Sequence, residues 1–408
     1  MKPEHSSTAG IHLLKWPEYN IQVRVDRLRT ERDNLTGEIT VKSTLVGVPS
    51  HLHQARFNLT STTSRKTLAN NLKDRLELPW DDIIEQTAVM VLTKHREGEP
   101  IVRVGNLPPR ESLKYRVEPL LVNSQPTLIY GPGGTGKTNL ALYLAVLLDG
   151  TPDHNGLLAE PGKVLYLDYE TDQWEIDDRI KAIQKGLQVS NAPDILYRSC
   201  ALPLNHEVED IQVIVIENNI DVVIVDPLGA ALGDNMNEGE PIISYFRALR
   251  SLRNNGQPVT TLSIDHTNKE GRLYGSEYKF HRARSVFEAK KQQEAGEAAL
   301  DFGLFHRKFN NGALLKPMGF HLTFQDGAMV FRKKNVKEMT ELSKALPMHV
   351  QIQELLKRGK LKASEIAEAL GKEDHYVTAV ISQYKGLFQK QADGAWGLTD
   401  YLHGVESH

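Results

Sequence analysis

The chemistry of this chain is concentrated first at residues 131–138, Gly131-Pro132-Gly133-Gly134-Thr135-Gly136-Lys137-Thr138, a complete G-x-x-x-x-G-K-[ST] spacing. The apolar stretch Thr127-Leu128-Ile129-Tyr130 before it reads as a strand, and Asn139-Leu140-Ala141-Leu142-Tyr143-Leu144-Ala145 after it reads as a helix. Such a turn lets glycine backbone N–H groups point inward at phosphates, and the helix N-terminus adds positive potential. These eight residues and Asn139 are therefore expected to cradle a nucleoside triphosphate. Lys137 would reach the β- and γ-phosphates, and Thr138 would hold Mg²⁺ through its hydroxyl.

Acids at the ends of later strands narrow the chemistry. The run Lys163-Val164-Leu165-Tyr166-Leu167 closes on Asp168-Tyr169-Glu170, and ligands of parallel sheets bind outside the carboxyl ends of the strands. Glu170 is the candidate to orient and deprotonate an attacking water; the alternative is a surface acid opening the next helix. Asp168 could instead pair with a base in the sheet. The run Asp221-Val222-Val223-Ile224-Val225-Asp226 ends in a carboxylate suited to fix Mg²⁺. A fifth strand ends in Asp265-His266-Thr267-Asn268-Lys269. His266 either senses the γ-phosphate or caps the strand. Asn268-Lys269 suggests guanine recognition, but Gly271 stands where an Asp would be required, so adenine, and hence ATP, is expected.

The elements that must position these groups follow from periodicity. A chain of 408 residues exceeds one ordinary core, and three units are expected: a small α+β domain over 1–110, an ATPase core over 111–340 and a third domain over 345–403. Residues 1–20 read as a loose leader. Strands are expected at Ile21–Val25, Glu38–Leu45 and Ala55–Leu59, and helices at Ser64–Leu76 and Trp80–His95. Gly105-Asn106-Leu107-Pro108-Pro109 reads as a linker. The core alternates strands and helices, an α/β pattern with a mostly parallel sheet. Its strands are expected at Thr127–Tyr130, Lys163–Tyr169, Asp194–Tyr197, Val222–Asp226 and Val259–Asp265. Antiparallel strands follow near Leu300–Arg307, Gly319–Phe324 and Met329–Arg332. Helices at Met348–Leu356, Ala363–Leu370 and Asp374–Tyr384, with a hairpin around Asp393-Gly394, describe a winged helix.

Bulk composition sets outer limits. With 40% hydrophobic and 25% charged residues the chain is ordinary for a globular protein. Its single cysteine, Cys200, leaves no intrachain disulfide to form and fits a reducing compartment. The opening Met1-Lys2-Pro3-Glu4 has no signal-peptide character, and the longest apolar run, Leu140–Leu148, is too short to span a bilayer. A cytoplasmic protein without membrane contact is expected. The net charge of −3 argues against a globally basic nucleic-acid coat but leaves room for a local basic channel.

With these residues in place, positions 115–335 resemble the RecA-like ATPases, and within them the RepA-type replicative helicases. The phosphate loop, Asp168-x-Glu170, Asp226-Pro227-Leu228 and Gly233-Asp234 with Asn237 carry the resemblance. So do His266-Thr267-x-Lys269, Gly275-Ser276 leading to Ala283-Arg284-Ser285, and Lys308 with Asn310-Asn311-Gly312. The resemblance implies a RecA-like core and homo-oligomeric rings, usually hexamers, with ATP at each subunit interface. It also implies a cation supplied by the neighbour, from Arg284, Arg307 or Lys308, with Lys308 favoured. The activity it implies is a DNA helicase or translocase, 5′-to-3′, holding single-stranded DNA in the pore and meeting replication, phage or plasmid proteins. In such rings the pore loop after the fifth strand would here present Lys269, Arg272, Lys279 and Arg282, interleaved with Tyr274 and Tyr278, to DNA; a solvated charged loop is the alternative. The loop after Asp226 carries Asp234, Glu238 and Glu240, which repel phosphate. The winged helix could read duplex DNA through Thr378, Ser382, Gln383 and Lys385, with Lys390 and Gln391 on its wing, or dock a protein. Arg24, Arg27, Arg29 and Arg32 alternate with acids and read as a solvated face. A nucleotide-dependent assembly switch, or a regulatory or recombination ATPase without unwinding activity, is the rival reading.

Overall fold

A computed structural model describes residues 2–8, 10–31, 34–97, 103–105, 112–150, 153–233, 238–268, 271, 273, 277–294 and 296–399. Of the residues singled out above, Arg32, Asn106–Pro109, Asp234, Asn237, Lys269, Arg272, Tyr274, Gly275 and Ser276 lie outside the described residues.

The first unit is a five-stranded antiparallel sheet in chain order, β1 (Glu4–Thr8), β2 (Ile11–Trp16), β3 (Ile21–Glu31), β4 (Asn34–Ser43) and β5 (His51–Asn58). Helices α1 (Thr62–Lys73) and α2 (Trp80–Glu97) share its apolar core, built on Leu14, Trp16, Val23, Ile39, Leu72 and Trp80. Residues 1–20 are thus not a loose leader: β1 and β2 pair over them. In β2 the buried positions His12, Leu14 and Trp16 alternate with more exposed ones. That period-2 pattern is short and includes a buried histidine, which hides it in the sequence.

The second unit is built on a nine-stranded sheet. Its elements are β6 (Pro126–Gly131), α3 (Lys137–Leu148), β7 (Val164–Asp168), α4 (Gln173–Leu187), β8 (Ile195–Ser199) and α5 (Leu204–Glu217). They continue with β9 (Val222–Asp226), α6 (Leu228–Leu232), α7 (Gly239–Ser251), β10 (Thr260–His266) and α8 (Tyr278–Arg282). The sheet finishes with β11 (Ser285–Gln292), β12 (Ala299–Phe309), β13 (Met318–Gln325) and β14 (Ala328–Lys334). Strand order is β8-β7-β9-β10-β6-β11-β12-β13-β14. It is parallel from β8 to β11 and antiparallel from there on. The α/β class with a mostly parallel core is as expected. Helices α3 and α4 cover one face and α5, α6 and α7 the other, each over its own apolar cluster. The run Leu140–Leu148 is buried throughout, so its hydrophobicity serves this core.

Strand β11 is absent from the expected elements. Its first half, Val286-Phe287, is buried, while Glu288, Lys290 and Lys291 in the second half carry charge. Half a strand of apolar residues is too little signal against a charged continuation.

Three helices follow, α9 (Met348–Leu356), α10 (Ala363–Leu370) and α11 (Asp374–Gln383), then a hairpin of β15 (Phe388–Lys390) and β16 (Trp396–Leu398). Ile352, Ile366, Val377, Ile381 and Phe388 form their core. Gly371, at φ +60°, ends α10 in the left-handed conformation that lets the chain turn into α11. No helix among the described residues is long and apolar enough to cross a membrane.

Candidate nucleotide site

The phosphate loop leaves β6 and enters α3. Gly134 (φ +66°) and Gly136 (φ +87°) adopt left-handed backbone conformations that a side chain would strain. Gly131 is fixed by packing instead: a Cβ there would lie 2.3 Å from the Ala289 carbonyl oxygen on β11. Lys137 folds back over the loop, its ammonium donating to the Gly131 and Pro132 carbonyls at 2.9 and 2.8 Å. Burial pushes its pKa down to about 8, against the pull of Asp226, Asp265 and Glu170.

Asp226 closes β9 beside this loop. Thr138 Oγ1 and the Tyr166 phenol both donate to its Oδ2, each at 2.7 Å. Burial raises the Asp226 pKa, and these two donors oppose the rise. Among the described residues Asp168 is held by hydroxyls and backbone amides rather than by the basic partner considered for it. It accepts the backbone N–H groups of Glu170 and Thr171 and the hydroxyls of Thr171 and Tyr197. Burial works to raise its pKa, but those four donors hold it below the usual carboxylate value. Its position fixes the start of the segment that carries Glu170. The Glu170 carboxylate lies 3.6 Å from His266 Nε2.

Gly134, Thr135, Gly136, Lys137, Thr138 and Asn139 line one cleft of about 390 Å³ with Glu170 and His266. A larger cleft of about 710 Å³, between the β1 end and α5, holds none of these groups. The donor set suits a nucleotide with a hard cation. A hydroxyl and a carboxylate oxygen stand side by side, and Asn139 Oδ1 is buried without a protein partner. Among the described residues no group of three or more His, Cys, Asp or Glu could hold a metal by itself.

Four residues at this cleft escaped the sequence reading. Tyr166 binds Asp226, and the Lys291 ammonium lies 3.4 Å from where a Gly134 Cβ would be. Arg179 and the 40%-exposed Phe324 line the rim. Only β11, once recognised as a strand parallel to β6, could have pointed to Lys291. The other three have no local signature.

Of the expected trans cations, Arg284 lies at the end of β6 away from the phosphate loop. Arg284 precedes β11, and its N–H donates to the Pro126 carbonyl at the start of β6. Its exposed side chain lines a cleft of about 340 Å³ with Arg250 and Arg253, and no carboxylate residue lines that cleft. Lys308 is engaged otherwise: its ammonium donates to the carbonyls of Phe280, His281 and Ala283 at 3.0, 2.7 and 2.8 Å. Those bonds take up its three protons and cap α8. Arg307 forks onto Glu288 at 2.8 and 2.5 Å.

Of the expected DNA-facing cations, Lys279 needs correction. It has no exposed surface and pairs with buried Asp265 at 2.8 Å, because it opens a five-residue helix packed against the sheet. Arg282 is exposed, and Lys269 and Arg272 lie outside the described residues.

Residues 97–272 match the family model described as an AAA domain. That stretch, 176 of the 408 residues, contains the phosphate loop, Glu170, Asp226 and His266; Arg284 and Lys308 lie beyond the match. The chain is similar to a solved KaiC-like protein from the hyperthermophilic archaeon Pyrococcus horikoshii OT3, at 15% identity and a TM-score of 0.38. That alignment covers 53% of this chain and 93% of the other. It is also similar to the flagellar accessory protein FlaH from Methanocaldococcus jannaschii, at 14% identity and a TM-score of 0.37, covering 52% of this chain and 90% of that one. No curated protein matches the sequence.

Proposed function

We propose that this chain is a cytoplasmic, Mg²⁺-dependent ATPase that completes its active site with a second copy of itself and acts on DNA as a ring-forming, RecA-like motor. The observation that carries the ATPase reading is the convergence of Lys137, Thr138, Glu170 and His266 on one cleft, with Asp226 bonded to Thr138. The loop N–H groups and Lys137 hold the triphosphate of ATP, and Lys137 trades its two carbonyl partners for phosphate oxygens. Thr138 and Asp226 are the residues to hold Mg²⁺, which neutralises phosphate charge when bound. Glu170 takes a proton from the attacking water, and His266 keeps its carboxylate aimed. Arg179 and Phe324 offer the base a guanidinium and an aromatic face.

The cation from the neighbouring copy is Arg284 rather than Lys308. Among the described residues Arg284 lines its cleft with two further arginines and no carboxylate, whereas Lys308 is spent on carbonyls. For DNA, Arg282, exposed at the end of α8, remains a candidate contact beside the sequence candidates Lys269 and Arg272. The C-terminal helices and hairpin, as a winged helix, present exposed Thr378, Ser382, Gln383, Lys385 and Lys390.

The test is ATP hydrolysis by the purified protein with and without single-stranded DNA, beside Lys137→Ala. Stimulation by DNA that disappears in the variant supports the motor. The burial of Lys279 favours a second reading, a nucleotide-driven assembly switch. Slow hydrolysis indifferent to DNA, with assembly that follows nucleotide, would select it.

A further inference from the structure

Strand β10 ends in an enclosed carboxylate whose two oxygens have separate duties. Asp265, 1% exposed, accepts the His266 backbone N–H on Oδ1 at 2.9 Å and the Lys279 ammonium on Oδ2 at 2.8 Å. A fully buried ion pair contributes little net stability, since desolvating both charges cancels most of their attraction. Apolar residues of similar volume would hold α8 against the sheet as well or better. The pair sits instead where orientation matters. His266 is the next residue, its ring faces Glu170 at 3.6 Å, and the following N–H, of Thr267, donates to the Gly131 carbonyl at the mouth of the phosphate loop. The His266 N–H faces Asp265 rather than a neighbouring strand, so the carboxylate sets the backbone from which the imidazole projects. Lys279 in turn fixes the carboxylate, and α8 that carries Lys279 is held from its other end by Lys308.

We infer that Asp265 and Lys279 are positioning residues for His266, and through it for Glu170, in the hydrolysis step; this rests on the ATPase reading above. Neither touches substrate. Lys279 holds the Asp265 carboxylate in one rotamer, and that rotamer aims His266 at Glu170.

The experiment is a mutant cycle on the full chain. Asp265→Leu with Lys279→Met replaces the pair by apolar side chains and is expected to keep the circular dichroism and thermal midpoint of the parent. Its kcat should fall tenfold or more, while the KM for ATP and the affinity for a fluorescent nucleotide stay within twofold. In a His266→Ala background the same double substitution should change kcat less than twofold. Asp265→Asn with Lys279→Met, which keeps an acceptor for the His266 N–H, should recover part of the loss. Hydrogen exchange of the His266 amide, followed by mass spectrometry without nucleotide, should speed up in the Leu/Met variant. Unchanged kcat, or an equal loss with and without His266, overturns the inference. Should Lys137→Ala hydrolyse ATP as fast as the parent, the ATPase reading fails instead. Exchange alone then decides, and unaltered protection at His266 overturns the positioning role.

Discussion

The Glu170 carboxylate and the His266 imidazole meet 3.6 Å apart although they leave strands that are not neighbours, β9 running between β7 and β10. The two polar side chains thus reach across the end of the strand that carries Asp226. Glu170→Gln keeps the size of the side chain and removes its basicity. It is expected to lower single-turnover phosphate release by about 10²–10⁴-fold, the range for loss of a general base, with nucleotide affinity little changed. Equal rates in the two proteins would remove Glu170 from the reaction.

On the proposed reading, Arg284 and Lys137 belong to one site only when two copies meet. Arg284→Ala and Lys137→Ala should each be inactive alone. Mixed, they are expected to regain part of the ATPase activity, because an intact phosphate loop from the first can face an intact arginine from the second. A mixture as inactive as its parts would show that Arg284 does not act between copies.

Lys308 should behave as a structural cap. Replacing it by Ala frees three carbonyls at the end of α8, and loss of charge-assisted hydrogen bonds costs about 1–3 kcal/mol. A lower urea midpoint with near-parental kcat is the expected pattern. A collapse of kcat at parental stability would return Lys308 to the catalytic set.

His306 supplies a pH dependence of stability. It lies on β12, stacked on Phe287 at 4.3 Å, accepting the Leu315 N–H on Nδ1 at 3.1 Å and sharing a hydrogen with Ser285 through Nε2 at 3.0 Å. Burial lowers its pKa from 6.5 to about 4. The unfolded chain therefore binds more protons between those values, and stability rises with pH across that window. Its contribution is complete above pH 6.5 and lost towards pH 4, worth up to roughly 3 kcal/mol. Urea midpoints of the parent and of His306→Gln, compared from pH 4 to 7, check this: the parent's slope should be the steeper.

What was legible in the sequence were features whose signal is local. The phosphate loop is eight contiguous residues, and β9 is four apolar residues closed by Asp226, so both stand out without their neighbours. The three C-terminal helices were found at nearly their observed limits because each keeps its apolar stripe between clear breakers. Features that depend on distant partners were not legible. Nothing near Lys279 announces a carboxylate fourteen residues earlier beneath it, and on an exposed loop the same lysine would read as a DNA contact. Tyr166 looks like an ordinary core aromatic until α3 brings Thr138 onto the same carboxylate.

The sheet's polarity has an arithmetical consequence. Five residue steps along β6, from Pro126 to Gly131, separate the point where Arg284 is anchored from the phosphate loop, roughly 17 Å at strand spacing. If Arg284 serves a neighbour as proposed, one copy carries the two halves of different sites. In an open row of n copies only n − 1 sites can be whole; a closed ring has n. Turnover per chain would then climb with concentration and take its last step at closure, so that whatever opens the circle silences one site without touching a residue in it.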